Sequence, residues 1–271
     1  MNKHEKLRTA IILCGGRGTR LGILSKKNPK ALVKIQNKEI LWYVINILRK
    51  NKFNHFILPL GYRGEQIKKF IEKKFKNKIN VRTVNTGVNS SISFRIYKVK
   101  KYIKSDNFLL LNGDSIFDFD LNKIYKKHEK NKYKMTFISS SYSANFGTIG
   151  IQNKKVINFQ RNFTFDYVKS RDKKNLIASI YSGISIMNKK TLGKNFKKYK
   201  NFEKRLYPWI IKKFKCNVEI LNGFFHPIDS QKDIYTANSL KSEDSKYLKV
   251  RKLINSITNK NAKLNTIHYS E

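Results

Sequence analysis

Between Arg8 and about residue 132, short unbroken apolar runs alternate with stretches whose apolar residues recur every third or fourth place. The run "RTAIILC" stops at glycine and predicts a strand buried on both faces of a parallel sheet. "KEILWYVINILRKN" has helical spacing, and "HFILPL", ending at "GYRG", predicts a second strand. In "EQIKKFIEKKF", Ile67, Phe70, Ile71 and Phe75 share one helical face and lysines take the other. "INVRTV" predicts a third strand, "SFRIYKVKKYI" a helix, and "NFLLLNGD" a further buried strand. "SIFDFDLNKIYKKHEK" predicts a turn and then a helix, with Asp118 in the turn and Asp120 as the helix cap. Such alternation specifies an α/β fold, a Rossmann-like doubly wound sheet that is mostly parallel.

Beyond residue 132 the pattern turns β-rich. "YKMTFISSS", "GTIGIQ", "KVINFQ" and "LIASIYSGISIM" are strand candidates, the middle pair joined by the turn-like "NKK". "NFEKRLYPWIIKKF" predicts a helix, "CNVEIL" a strand, and "DSQKDIYTANSL" a helix with Asp229 near its N-cap. The Lys- and Ser-rich segment 241–271 reads as a polar, peripheral tail. With no repeat and no Gly/Ser linker, residues 1–240 are expected to form a single domain. Its two halves cover about 8–132 and 133–240.

Composition narrows the function classes. A chain of 271 residues with 40% hydrophobic residues can bury a proper core, and no apolar run approaches the roughly 20 residues of a membrane helix. The charged N-terminal segment lacks a signal-peptide core, and the two cysteines, Cys14 and Cys216, show no metal-type spacing. Both features predict a reduced, cytoplasmic setting. The formal charge of +40 invites a nucleic-acid partner, but the lysines are spread along the whole chain instead of forming one stripe. A phosphate ester suits the charge as well.

The candidate chemistry starts at "IILCGGRGTRLG", residues 11–22, where four of the thirteen glycines follow a buried strand. Glycines there let backbone N–H groups approach phosphate oxygens without a Cβ in the way. The dinucleotide fingerprint would need a third glycine where Leu21 stands after Gly16 and Gly18, and the Walker pattern is absent. A different pattern fits. "LCGGRGTRL" followed by "PK" at 29 and 30 resembles the sugar-1-phosphate nucleotidyltransferase signature. "EILWYVINIL", "GYRGEQIKKF", "VNTGVNSS", "NGD" at 112–114, "FGTIGI" and "GFFHPID" at 223–229 follow in that family's order, resembling most its glucose-1-phosphate cytidylyltransferase branch.

The resemblance implies a GT-A-like nucleotidyltransferase fold with a β-rich acceptor side. It also implies Mg²⁺-dependent transfer of a nucleoside monophosphate from an NTP, CTP above others, to a sugar 1-phosphate or related phosphorylated small molecule. By resemblance, Leu13, Cys14, Gly15, Gly16, Gly18, Thr19 and Gly113 would surround the nucleotide, with Cys14 an apolar filler and no nucleophile. Arg20 and Lys30 would neutralise the triphosphate and the departing pyrophosphate, and Asp114 and Asp229 would ligate the metal. Thr86, Gly87 and Asn89 map to the segment that reads base and ribose, with Arg95 and Tyr62 as weaker candidates. His226, near the metal pair, is expected to pack and not to catalyse. Gly147, Arg161, Tyr181 and Gly183 map to the acceptor side.

Two departures fall on that acceptor side. In "FQRNF" the family's phosphate-binding lysine is replaced by Asn162, leaving Arg161 as the nearest cation. In "IYSG", Tyr181 stands where the family has asparagine. The expectation is retained transfer chemistry with an acceptor other than glucose 1-phosphate. The alternatives are a guanylyltransferase for a heptose or mannose 1-phosphate, a basic nucleic-acid-binding protein, and a catalytically silent regulatory relative. A homo-oligomer is compatible with each.

Overall fold

The unbroken apolar runs of the strands feed a core on each face of the sheet. The computed structural model of the chain describes residues 6–18, 21, 28–143, 148–160, 164–165, 168–169, 177–221, 223–240 and 246–258. Strands β1 (Thr9–Leu13), β2 (His55–Leu60), β3 (Asn80–Asn85) and β4 (Asn107–Asn112) lie parallel to one another in the order β4-β1-β2-β3. Because successive side chains point to opposite faces, Ala10, Ile12, Leu109 and Leu111 enter one core while Ile11, Phe108 and Leu110 enter the other. Helices α1 (Ile40–Lys50), α2 (Gly64–Phe75) and α4 (Leu121–Lys130) cover the first face, and α3 (Ile92–Val99) the second. Asp120 caps α4 through Lys123 N, as the sequence predicts.

A two-stranded ribbon, β5 (Ser115–Asp118), departs from the sequence expectation of a turn. It pairs with a late strand that cannot be seen locally. The sheet continues through β6 (Met135–Ser140) and β9 (Ile180–Asn188), between which lie the hairpin strands β7 (Thr148–Gln152) and β8 (Lys155–Gln160). Strand β9 is antiparallel to both β4 and β6, and β10 (Cys216–Leu221) closes the edge parallel to β6. The seven-stranded order is β10-β6-β9-β4-β1-β2-β3, a mixed sheet. Strand β11 (Phe224–Pro227) runs antiparallel to β5.

Three local readings change. "NFEKRLYPWIIKKF" is not one helix: Phe202–Leu206 form a π-turn that leads into α5 (Tyr207–Lys213). The N-cap of α6 (Gln231–Asn238), expected near Asp229, narrows to the next residue, Ser230, in a full capping box with Asp233. The supposed peripheral tail contains α7 (Lys246–Thr258), which buries Val250, Leu253 and Ile254 in the first core. Those apolar residues recur at helical spacing, but bulk lysine content hides the stripe.

Candidate active site

The glycine loop leaves β1 at the carboxyl ends of the parallel strands, where open α/β sheets hold ligands. It borders a cleft of about 560 Å³, within the range that takes a nucleotide-sized ligand. Leu13, Cys14, Gly15, Gly16, Gly18, Lys30, Asn89, Gly113 and Asp114, all anticipated from the sequence, line it. Sequence reasoning missed Arg17, Asn112 and Glu203, which also line the cleft. Arg17 was visible inside "GGRG" and Asn112 inside "NGD", but Glu203 carries no local signal.

Arg95 shapes the cleft from beneath. Its Nε donates to Ser90 O at 3.1 Å. Nη1 donates to Leu60 O at 3.0 Å and Thr86 Oγ1 at 2.7 Å. Nη2 donates to Gly15 O at 3.3 Å and Val88 O at 3.1 Å. All five guanidinium donors therefore meet protein oxygens, tying the glycine loop to the ends of β2 and β3. Burial with neutral acceptors alone lowers its pKa. Glycine is required at 15 because a Cβ there would run into Arg95 Nη1, and lie 2.7 Å from its Cζ. Arg95 is thus a loop clamp. Thr86, assigned to base or ribose, likewise gives its hydroxyl to Leu60 O at 2.6 Å and is 2% exposed. Gly87, at φ +94°, turns the chain after it. Asn89 stays exposed and accepts from Arg17 Nη2 at 3.2 Å, linking the two loops across the mouth.

The cluster on the cleft floor combines three distant parts of the chain. Pro29 fixes the start of the short 3-10 turn Lys30–Leu32, and Lys30 Nζ donates to Asp114 Oδ2 at 2.9 Å and Asp229 Oδ1 at 2.6 Å. The β5–β11 ribbon makes this possible. Ser115 faces Pro227 in its register, and Ile228 N donates to Asp114 O at 3.0 Å. Ser230 and Asp233 complete the α6 cap between themselves, and Asp233 Oδ2 also takes Asp229 N at 3.0 Å. The Asp229 carboxylate is therefore released from capping. One cation reaching both carboxylates shows that the pair can serve a single positive centre. Lys30 is only 14% exposed in this cluster, against 32% for Asp114 and 40% for Asp229.

Nearby groups have structural duties. Burial, with the Asp114 charge adding to it, pushes the Cys14 thiol far up, so it is an inert filler at neutral pH. The His226 ring shares a hydrogen bond with Asp233 O at 2.8 Å and is 2% exposed, which agrees with a packing role.

On the predicted acceptor side, Gly183 sits at φ +76° where the β9 register shifts, and a Cβ there would lie 2.6 Å from Asn112 Nδ2. Tyr181 is not among the residues that line the cleft. Its hydroxyl meets Tyr207 Oη at 2.8 Å and its ring stands edge-on to Phe137 in the second core. Burial, with a contribution from the Glu203 charge, pushes it up to about 12. Its hydroxyl is thus engaged by the protein itself. Thr19, Arg20, Gly147, Arg161 and Asn162 lie outside the described residues.

A family model described as nucleotidyl transferase matches residues 9–161, more than half of the chain. The chain belongs to that family. A probable glucose-1-phosphate cytidylyltransferase of Bacillus subtilis (strain 168) is 29% identical over 177 residues, covering 58% of this chain and 70% of the relative. A D-glycero-alpha-D-manno-heptose 1-phosphate guanylyltransferase of Campylobacter jejuni subsp. jejuni serotype O:2 is 30% identical, covering 55% and 65% respectively. Among solved structures, the inositol-1-phosphate CTP transferase from T. maritima superposes with a TM-score of 0.65 at 18% identity, covering 94% of this chain and 97% of that one. That likeness bears on the fold alone. The chain is accordingly an enzyme of the sugar-1-phosphate nucleotidyltransferase family, and among the described residues no helix is long and apolar enough to cross a membrane.

Proposed function

We propose that this nucleotidyltransferase transfers CMP from CTP to a phosphorylated small molecule of the sugar 1-phosphate class. A phosphate oxygen of the acceptor attacks the α-phosphorus, the bond to the bridging oxygen of the β-phosphate breaks, and pyrophosphate leaves. The observation that carries this reading is the Lys30–Asp114–Asp229 cluster on the floor of a cleft bordered by the glycine loop. Backbone N–H groups of the loop would hold the phosphates. Lys30 would neutralise the charge that accumulates on pyrophosphate. Arg20 is assigned the same task by the motif.

The residues present suit Mg²⁺. Two carboxylates within reach of one cation match an ion that takes one or two carboxylates and completes its shell with phosphate oxygens and water. Among the described residues no group of three or more His, Cys, Asp or Glu offers a fuller cage. Asp114 and Asp229 would hold the ion, and its chemistry there is neutralisation of phosphate charge. With the carboxylates so engaged, Lys30 would be available to hydrogen-bond phosphate oxygens.

Cytidylyltransferase relatives support CTP as the donor. The heptose 1-phosphate guanylyltransferase relative makes GTP the second reading. The substitutions at Asn162 and Tyr181 support an acceptor other than glucose 1-phosphate.

Pyrophosphate release, measured for CTP, GTP, UTP and dTTP with Mg²⁺ and glucose, mannose or inositol 1-phosphate, tests the proposal. CTP is expected to dominate and glucose 1-phosphate not to be the best acceptor. Turnover with GTP alone would overturn the donor assignment, and a clear preference for glucose 1-phosphate the acceptor assignment.

A further inference from the structure

We propose that Glu203 is a specificity-determining residue that accepts hydrogen bonds from hydroxyl groups of the acceptor; this rests on the transfer function proposed above. Among the described residues, every other residue lining the cleft stands at or before Asp114 in the chain. Apart from Asp229, which joins the floor cluster through Lys30, Glu203 is the described residue that brings the C-terminal half to its wall.

The backbone that presents it is firmly held. Glu203 belongs to the π-turn Phe202–Leu206, a local widening of the helix that recurs at functional sites. Phe202 and Leu206 on either side are buried in the second core, and Phe202 packs on Tyr207 with centroids 4.5 Å apart. Asn201 caps the turn by accepting from Lys204 N at 2.9 Å. Between these anchors the Glu203 side chain is exposed.

Its chemistry is at odds with its surroundings. The chain carries 58 Lys and Arg against 18 Asp and Glu, yet among the described residues Glu203 makes neither hydrogen bond nor ion pair. A cleft for two phosphorylated substrates gains from cations, and a carboxylate on its wall repels both phosphate groups. An ionised carboxylate only accepts hydrogen bonds, so it complements neutral donors and rejects phosphate. In the transfer function proposed above, the lining residues between 13 and 31 and between 88 and 114 serve the nucleotide and the metal. A carboxylate arriving from beyond them therefore faces the second substrate, whose donors are its hydroxyls. With Tyr181 held in the core, Glu203 provides the polar contact that the "IYSG" segment does not. Repulsion of the phosphate also orients the acceptor, turning its phosphate away from Glu203 and its hydroxyls toward it.

The test compares wild type, E203Q and E203A in pyrophosphate release from CTP and Mg²⁺, with whichever of glucose, mannose and inositol 1-phosphate the wild type turns over fastest. The acceptor KM should rise about tenfold or more in E203A, the scale of a lost hydrogen bond to a charged group. E203Q, which keeps one carbonyl acceptor, should rise less. The KM for CTP should stay within about twofold and the thermal midpoint should not move, since the side chain is exposed. An unchanged acceptor KM in E203A, or a parallel rise in the CTP KM, would overturn the assignment. Absence of wild-type turnover with every acceptor would instead remove the transfer function itself, and this inference with it.

Discussion

Replacing Arg95 with methionine keeps much of the side-chain volume and removes every donor of the clamp. Five acceptors lose their partner at once: the carbonyls of Gly15, Leu60, Val88 and Ser90, and the Thr86 hydroxyl. Hydrogen bonds to a charged group contribute about 1.5–3 kcal/mol each, so a plain sum would rival the whole stability of a domain. The sum is not realised, because removing the guanidinium also removes its own desolvation cost. Leu60 O, moreover, still accepts from Thr86 N and Thr86 Oγ1. Breaking a buried charged network typically costs about 3–5 kcal/mol, and that range is expected here. With a urea slope of about 3 kcal/mol/M, the midpoint should fall by roughly 1–2 M. Arg95→Lys keeps the charge but offers three donors from one point, and should recover about half of the loss. Fluorescence of Trp42 and Trp209, which pack against the two different cores, follows the transition on both faces of the sheet. Amide exchange at Tyr62, which donates to Gly15 O, and at Thr86 should accelerate together. A midpoint shift below about 0.3 M with unchanged exchange at both amides would show that the loops hold without the guanidinium.

Lys30→Met leaves Asp114 and Asp229 facing each other without the shared ammonium. The metal-free thermal midpoint should drop, and Mg²⁺ alone should raise it by more than in wild type, because the ion no longer competes with Nζ. Equal Mg²⁺ shifts would contradict a carboxylate pair shared between lysine and metal. Tyr181→Phe strips Tyr207 of its buried hydroxyl partner and should cost about 1–2 kcal/mol while leaving the acceptor KM unchanged. A raised KM at unaltered stability would place that hydroxyl in the cleft after all. His55 and His128 are buried, and burial lowers both to about 4. Between that value and the unfolded value near 6.5 the unfolded chain binds more protons, so stability falls as pH drops through the window and is level above it. From pH 7 to pH 5 each histidine should remove about 2 kcal/mol, read from urea midpoints. A flat profile in wild type would count against neutral burial of both rings.

Much of the fold was legible because its signals are local. Strands β1 and β4 announce themselves by unbroken apolar runs, and helices α1 and α2 by apolar residues every three to four places. The glycine loop and the Pro29-Lys30 pair could be recognised because the motif places them on contiguous residues. Helix α7 escaped because its apolar stripe is thin against a lysine-rich background, and the π-turn because no residue type marks it.

What the sequence determined alone is the strand–helix alternation of the first half, the phosphate-type loop, and the identity of Lys30, Asp114 and Asp229 as candidates. The tertiary structure decided what each of them meets. Lys30 lies 84 residues from Asp114 and 199 from Asp229, and the β5–β11 ribbon, itself absent from any local pattern, brings the two carboxylates side by side beneath it. It also sent Arg95, Thr86 and Tyr181 into clamp and core, and brought Glu203 to the cleft wall. A side chain's partner is set by pairings across long chain separations and by the face on which packing leaves it. Neither is encoded in the spacing of its neighbours.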